Sequence, residues 1–320
     1  MRYHNHSAKH LRLPCILGAL LLCGCVEEKI SYSRDTGEEG PDTLSGGRVR
    51  VDFDAAVGSY ATRAGFRPIG TDRYATVYAF DGAQPAASVK YISKETGSLT
   101  PLKSPMYLPT GRYRLYAAGI NTPHTAIPLF TDGVCSGLKN NVDYLWWGVG
   151  DVIPEAPVTN YTVDFAHCCT QVVLNLMIQN TITVDSIHYV ALTPSAMGNI
   201  DWNLYEGTIG PADAVDENAE KLSYTRVNDS TYAAQLMTAP LRVPRAADLT
   251  ATFEIRINGE LEPRTYHAPL PVYRNDLLAG YSYRYDLLVK TDTVEFLTVD
   301  IIDWVDIDAD LKPIIPTESE

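Results

Sequence analysis

No apolar stretch at the start of this sequence is long enough to cross a bilayer. The one candidate, Leu13 to Leu22, supplies about half of the roughly 20 residues a spanning helix needs, and Pro14 and Gly18 interrupt it. Basic residues are also few, 26 against 39 acidic, and form no local stripe. Such a surface repels phosphate backbones, which argues against nucleic acid as a partner. Catalytic templates are missing as well. There is no G-x-S-x-G elbow, no H-E-x-x-H and no glycine-rich phosphate loop. No nucleophile and base can be paired from the sequence, so an enzyme is not expected. Helical periodicity is absent over any long segment.

What the chain does have begins with a leader. Arg2, Lys9 and Arg12 precede the apolar core with no acidic residue among them, the layout of a secretory signal. The core ends in Leu22-Cys23-Gly24-Cys25, which resembles a bacterial lipobox, with Cys25 as the acylated first residue of the mature chain. An ordinary signal-peptidase site with two incidental cysteines is the alternative. A zinc site is disfavoured, because two thiolates in a signal core lack further ligands. With two or more acyl chains on one cysteine, attachment to the outer membrane would be lasting. Val26-Glu27-Glu28 resembles the acidic export signal of surface lipoproteins in Gram-negative anaerobes. Residues 25–47 then read as a lipidated flexible tether, rich in Glu, Asp, Gly and Ser, with a reach of roughly 25 Å. Removal of the leader takes three basic residues, leaving 23 against 39 acidic and a charge near −16.

The body alternates with period two. "RVRVDFDA" puts Val49, Val51, Phe53 and Ala55 on one face. "RYATVYAFDG" sets Ala75, Val77 and Ala79 against Tyr74, Thr76, Tyr78 and Phe80 before an Asp-Gly turn, and "PTGRYRLYAAGIN" predicts a strand over 112–120. Further strands are expected near 161–179, 182–192, 231–237, 248–258, 281–290 and 293–307. "DVIPEAPVTN", with two prolines and no alternation, predicts a hinge. The expected fold is all-β, two antiparallel β-sandwiches at 48–155 and 156–320 after a signal at 1–24.

Several motifs invite a chemical reading. In "DFAHCCTQVVLNLMIQ" the even positions from Ala166 through Cys168 to Ile178 form an apolar row, which points Cys168 inward and Cys169 outward with His167. A Cys135–Cys169 bridge and buried free thiols fit equally well. Neighbours on a strand face opposite ways, which argues against joint chemistry of His167 with the thiols. Asp306, Asp308 and Asp310 imitate the start of a calcium loop, but Leu311 stands where the turn needs glycine, so no metal is expected. Tyr144, Trp146 and Trp147 form the densest aromatic cluster. Exposed together they would stack on sugars or partner side chains, and a surface glycan-binding lipoprotein of a nutrient-uptake system is the alternative reading of the chain.

Taken together, the lipobox at Cys25, "ATRAG" at 61–65, "VDYLWWG", "VDFAHCCTQVVLNL" and "LLAGYSYRYDLLVKTDTVEFLTVDIIDWVD" resemble the fimbrillin-like lipoproteins, subunits of protease-assembled (type V) pili. The resemblance implies two transthyretin-like domains, no cofactor, export as a lipidated precursor to the cell outer membrane, and other fimbrial subunits as partners. In polymerising members an arginine-specific protease cuts after the first strand, and the vacated groove takes a strand from the next subunit; anchor and tip members depart from that scheme. Here Arg63 is the expected cut site, with Arg67 as the alternative. Leu297, Val299, Ile301, Val305 and Ile307, one row broken by Asp303, are the expected donor residues. The competing reading makes 293–302 the last strand of its own sheet.

Overall fold

Alternation of branched and aromatic residues with turn residues between them produces a chain of strands. The computed structural model describes residues 47–304 apart from 59–65, 156, 195–199, 211–218, 244–248, 273 and 275. Among the described residues there is no α-helix, and the protein is all-β. The first half runs β1 (Arg48–Gly58), β2 (Arg67–Pro68), β3 (Tyr74–Asp81), β4 (Gln84–Ser93), β5 (Ser98–Pro101), β6 (Met106–Pro109), β7 (Tyr113–Ile120), β8 (Val134–Cys135), β9 (Tyr144–Val152) and β10 (Val158–His167). The second runs β11 (Thr170–Ile178), β12 (Val184–Thr193), β13 (Trp202–Asn203), β14 (Thr208–Ile209), β15 (Glu220–Lys221), β16 (Ser223–Asn228), β17 (Thr231–Thr238), β18 (Leu241–Arg242), β19 (Thr250–Ile257), β20 (Arg264–Pro269), β21 (Asp276–Leu277), β22 (Tyr281–Val289) and β23 (Val294–Asp303).

Strands β1 to β7, β9 and β10 make one nine-stranded sheet. The Asp81-Gly82 turn joins β3 to β4, with Gly82 at φ 60°. The second half contributes a five-stranded sheet, β16-β17-β11-β22-β23, and a four-stranded one, β15-β12-β19-β20. Both send their alternate side chains into one hydrophobic cluster, including Leu174, Tyr285 and Leu236 from the first and Ile187, Phe253 and Ala268 from the second. A separate cluster lies within the nine-stranded sheet, around Val51, Phe53, Tyr91, Met106 and Phe165. Both clusters belong to one compact unit.

Strands β3, β7 and β9 are buried on both faces. Val77, Leu115 and Trp147 point into the cluster around Val51 and Phe53, the first cluster in chain order, whereas Phe80, Ala118, Ile120 and Tyr144 point into the cluster around Leu174 and Tyr285, the second. Strand β3 therefore has two inner faces, and the row of Thr76, Tyr78 and Phe80 is one of them.

Three expectations change. Pairing is not uniformly antiparallel, since β1 runs parallel to β10 and β11 parallel to β22. Alternation encodes which face is buried and says nothing about direction. Nor does the proline-rich segment at 151–160 separate the halves at 155/156. Strand β10, which begins within it at Val158, pairs with β1 over nine residues and with β9, so it completes the first sheet. The change of sheet falls at Cys168-Cys169. There the expected single strand over 161–179 breaks in two and the buried phase flips, from odd positions (Val163, Phe165) to even ones (Val172, Leu174, Leu176). A two-residue break lets the chain turn its other face inward as it enters the second sheet.

Candidate functional site

Strand β1 is held on both edges. On one side Arg50 to Gly58 pair with Val158 to Ala166 of β10. On the other, Arg48 to Val51 pair with β6, Phe53 and Asp54 with β5, and Ala56 and Val57 with β2. Val49, Val51, Phe53 and Ala55, the row read from the sequence, are all buried, and Val57 extends it. Phe53 packs edge-on against Tyr91 at 5.5 Å between ring centroids and lies 6.3 Å from Tyr161. Burial pushes the Tyr91 hydroxyl well above its ordinary range. The outward residues make polar contacts, with Arg50 donating to Asp52 at 3.0 Å and Asn160 donating to Asp54 at 2.8 Å. Gly97 admits the β4–β5 turn against the strand: the Ala55 N–H donates to the Gly97 carbonyl at 2.8 Å, and a Cβ on Gly97 would meet the Ala55 oxygen at 2.6 Å. Strand β1 thus fills a groove whose walls come from residues 66–166.

Arg63 and Cys25 lie outside the described residues, as do Val305, Ile307 and the Asp306–Asp310 run. Leu297, Val299 and Ile301 lie on β23, which pairs antiparallel with β22 from Val294 to Asp303. Val299 stands opposite Tyr285 and Ile301 opposite Tyr283, while Leu297 occupies the irregularity where the register skips. The described part of the expected donor row is therefore the last strand of its own sheet.

The aromatic trio does not form an exposed platform. Tyr144 is 3% exposed and Trp147 7%. The two adjacent indoles face opposite ways, Trp147 into the first cluster and Trp146 against the second, where its Nε1–H donates to the Leu204 carbonyl at 2.6 Å. Gly207 lets the 203–207 turn lie on the Trp146 ring, since a Cβ there would approach it to 2.3 Å.

Cys135, Cys168 and Cys169 are buried free thiols, so the bridge is not formed. Burial raises all three thiol pKa values. His167 is buried too, not outward. Its Nδ1 lies 2.9 Å from both Asp143 oxygens, and its ring stacks on Trp304 at 4.5 Å and 14°. Asn121 Nδ2 donates to Asp143 at 3.0 Å, and the Trp304 N–H donates to Gly280. This arrangement fixes the end of β23 to the sheet-changing point. Sequence reasoning missed it because Asp143, His167 and Trp304 are far apart in the chain and alternation pointed His167 outward. Among the described residues no three His, Cys, Asp or Glu side chains converge in a way that could hold a metal ion.

The model of the fimbrillin-like family matches residues 62–304, beginning just beyond β1. No curated protein matches the chain in sequence. Among solved structures, a proposed cell adhesion protein of Bacteroides ovatus superposes with a TM-score of 0.60 at 17% identity, covering 81% of this chain and 99% of its own. One from Bacteroides uniformis gives 0.59 at 16% identity, covering 80% and 99%. The fimbrial anchor protein Mfa2 of Porphyromonas gingivalis gives 0.42 at 14% identity, covering 80% and 98%.

Proposed function

The chain belongs to the fimbrillin-like family, and on that premise we propose that it is a cell-surface pilus subunit, or an anchor or tip accessory, that assembles by β-strand exchange and supports adhesion. A fimbrial structural or accessory role at the cell surface follows from the family itself. The finer reading adds two transthyretin-like sandwiches, a lipid anchor on Cys25 in the outer membrane, and no catalysis.

The observation that carries strand exchange is the seating of β1. Its covalent link to the strands that follow runs through 59–65, the segment that contains Arg63, and it supplies a complete inward row to the first cluster. Burial of Val49, Val51, Phe53 and Val57 stabilises by roughly 6 to 12 kcal/mol at about 1.5 to 3 kcal/mol each. That is comparable with the whole stability of a typical domain. Loss of β1 would bare that apolar trough and two rows of unpaired backbone groups, which a strand from another subunit would satisfy. Residues 305–311, with Val305, Ile307, Ala309 and Leu311 alternating, supply such a strand in sequence.

The experiment is mass spectrometry and gel analysis of the assembled surface material. A chain starting at Ala64 in heat-labile ladders, lost in an Arg63→Ala, Arg67→Ala variant, supports a stalk subunit. An intact chain acylated at Cys25 within assembled pili supports an anchor. Monomers unaffected by either protease or substitution would refute strand exchange. The glycan-binding alternative loses its platform with Tyr144 and Trp147 buried.

A further inference from the structure

Strands β4 and β6 approach each other without pairing. Among the described residues β6 bonds only to β1, and β4 bonds to β3 along its length but to β5 only from Tyr91 to Ser93. The Leu102 N–H donates to the Lys90 carbonyl at 2.9 Å, and from there toward Gln84 no backbone hydrogen bond crosses to β6 among the described residues. Backbone groups two residues apart on a strand point the same way, so the Ser88 N–H and carbonyl face this seam.

Two cavities lie along the seam. One, of about 340 Å³, is lined by Arg48, Asp81, Gln84, Tyr107 and Tyr113 among others; the second, of about 490 Å³, by Ser88, Lys90, Leu102, Lys103 and Ser104. Both fall within the size range of small-ligand sites. Tyr113 is held in place by its hydroxyl, which donates to the Pro109 carbonyl at 2.9 Å, and Leu102 is 50% exposed.

Three cations thus meet one carboxylate. Arg48, Lys90 and Lys103 form no ion pair among the described residues, in a chain whose net charge is −13. Asp81 is the only acidic residue lining either cavity. Acidic groups further off than about 8 Å are screened at physiological ionic strength, so the local excess of cations decides what this surface attracts. Positions 48, 90 and 103 are too far apart in the chain to read as a basic stripe; the fold brings them to one seam.

Another strand is a poor occupant here. Pro85 lacks an N–H and Lys90 carries a charge, two of the devices that blunt a sheet edge. A bare oxyanion would engage the lysines and nothing else. The Ser88 and Ser104 hydroxyls, the Gln84 amide and the Asp81 carboxylate can exchange hydrogen bonds with sugar hydroxyls, and Leu102 and Tyr107 offer apolar surface to the C–H face of a ring.

We propose that the seam between β4 and β6 binds an acidic oligosaccharide, with a sugar carboxylate or sulfate on Lys90 and Lys103 and a neighbouring sugar against Asp81, Gln84 and Tyr107. The larger cavity is built wholly from residues beyond β1. The proposal therefore does not rest on strand exchange, and its failure would leave the pilus reading standing.

The test uses the mature, uncut chain carrying Arg63→Ala, so that Arg48 stays in place. Fluorescently labelled hexasaccharides of chondroitin 4-sulfate and of hyaluronan, neutral chitohexaose, and a thymidine decanucleotide as a polyanion control are titrated at physiological salt and followed by anisotropy. The acidic sugars are expected to bind, and chitohexaose and the oligonucleotide to fail. Lys90→Gln combined with Lys103→Gln is expected to weaken binding at least about tenfold, because charge-assisted hydrogen bonds are lost. Lys139→Gln, the same loss of charge at an exposed site elsewhere, is expected to change it less than about twofold. Melting temperatures of these variants should match the parent. Asp81→Ala separates recognition from attraction: loss of a hydroxyl acceptor weakens binding about threefold or more, whereas a surface that merely attracts anions would bind more tightly. Failure of both acidic sugars, equal binding of chitohexaose or of the oligonucleotide, equal effects of Lys139→Gln and the paired lysine change, or tighter binding by Asp81→Ala would overturn the proposal.

Discussion

At the scale of single residues, backbone geometry and burial give the sharpest expectations. Gly97 sits at φ 84° with the Ala55 oxygen where a side chain would begin. Gly97→Ala combines left-handed strain of about 1 to 2 kcal/mol with displacement of β1, and is expected to destabilise by about 2 to 4 kcal/mol. Urea unfolding would measure it, and a change below about 0.5 kcal/mol would mean that the turn does not hold β1. Cys168, Cys169, Tyr91 and Tyr285 have pKa values raised by burial from ordinary values of 9.0 for the thiols and 10.0 for the phenols. Folded, these groups keep protons that the unfolded chain releases. Their contribution is therefore fully present below pH 9 and falls as pH rises, by up to about 1.4 kcal/mol per pH unit for each group that ionises only on unfolding. Urea midpoints should be level between pH 7 and 8.5 and lower at pH 10.5; equal midpoints would contradict burial of the four groups. The sequence disclosed the β1 row at this scale, because one strand with one buried face is a local pattern. It could not disclose the orientation of Cys169 or His167, which depends on a break in the strand that alternation alone does not mark.

At the scale of elements, direction and pairing matter more than composition. Strand β1 is parallel to β10 although about a hundred residues separate them, and the nine-stranded sheet closes only when β10 arrives. The proline-rich stretch before β10 reads as a boundary because prolines mark loops, and a loop between two strands of one sheet has the same composition as a linker between domains. The last strand was legible as a strand but not as an edge, since edge status depends on the strands beside it. An engineered protease site within 59–65 would separate β1 from the body after folding. Cut protein is expected to retain β1 at first. It should then exchange it with labelled peptide of sequence RVRVDFDAAVG, while the Phe53→Ala peptide competes at least about a hundredfold less well, given about 3 to 5 kcal/mol for loss of a buried phenylalanine. Peptides that compete equally would show that the Phe53 contact with Tyr91 does not hold the strand.

At the scale of the whole molecule, the question is whether two hydrophobic clusters mean two independent folding units. The central strands β3, β7 and β9 argue against independence, because each lends one face to each cluster. Unfolding the second half would expose Phe80, Ala118, Ile120 and Tyr144, and unfolding the first would remove the surface, including Phe130, Tyr144 and Trp146, on which Trp202 and Leu204 rest. Phe80, Tyr116 and Tyr205 continue the contact as three mutually edge-on rings 5.4 to 5.8 Å apart. Cooperative coupling through a shared sheet predicts one calorimetric transition, with calorimetric and van't Hoff enthalpies equal. Trp146→Phe removes the Nε1–H bond to Leu204 while keeping most of the ring, and should lower the midpoint without splitting the transition, because the aromatic contacts remain. Two separated endotherms in the parent protein would show that the shared sheet does not couple the halves. Because coupling transmits the loss of β1 to both clusters, a cut chain that has released the strand should melt early as a whole, and regain its single transition when a strand is supplied.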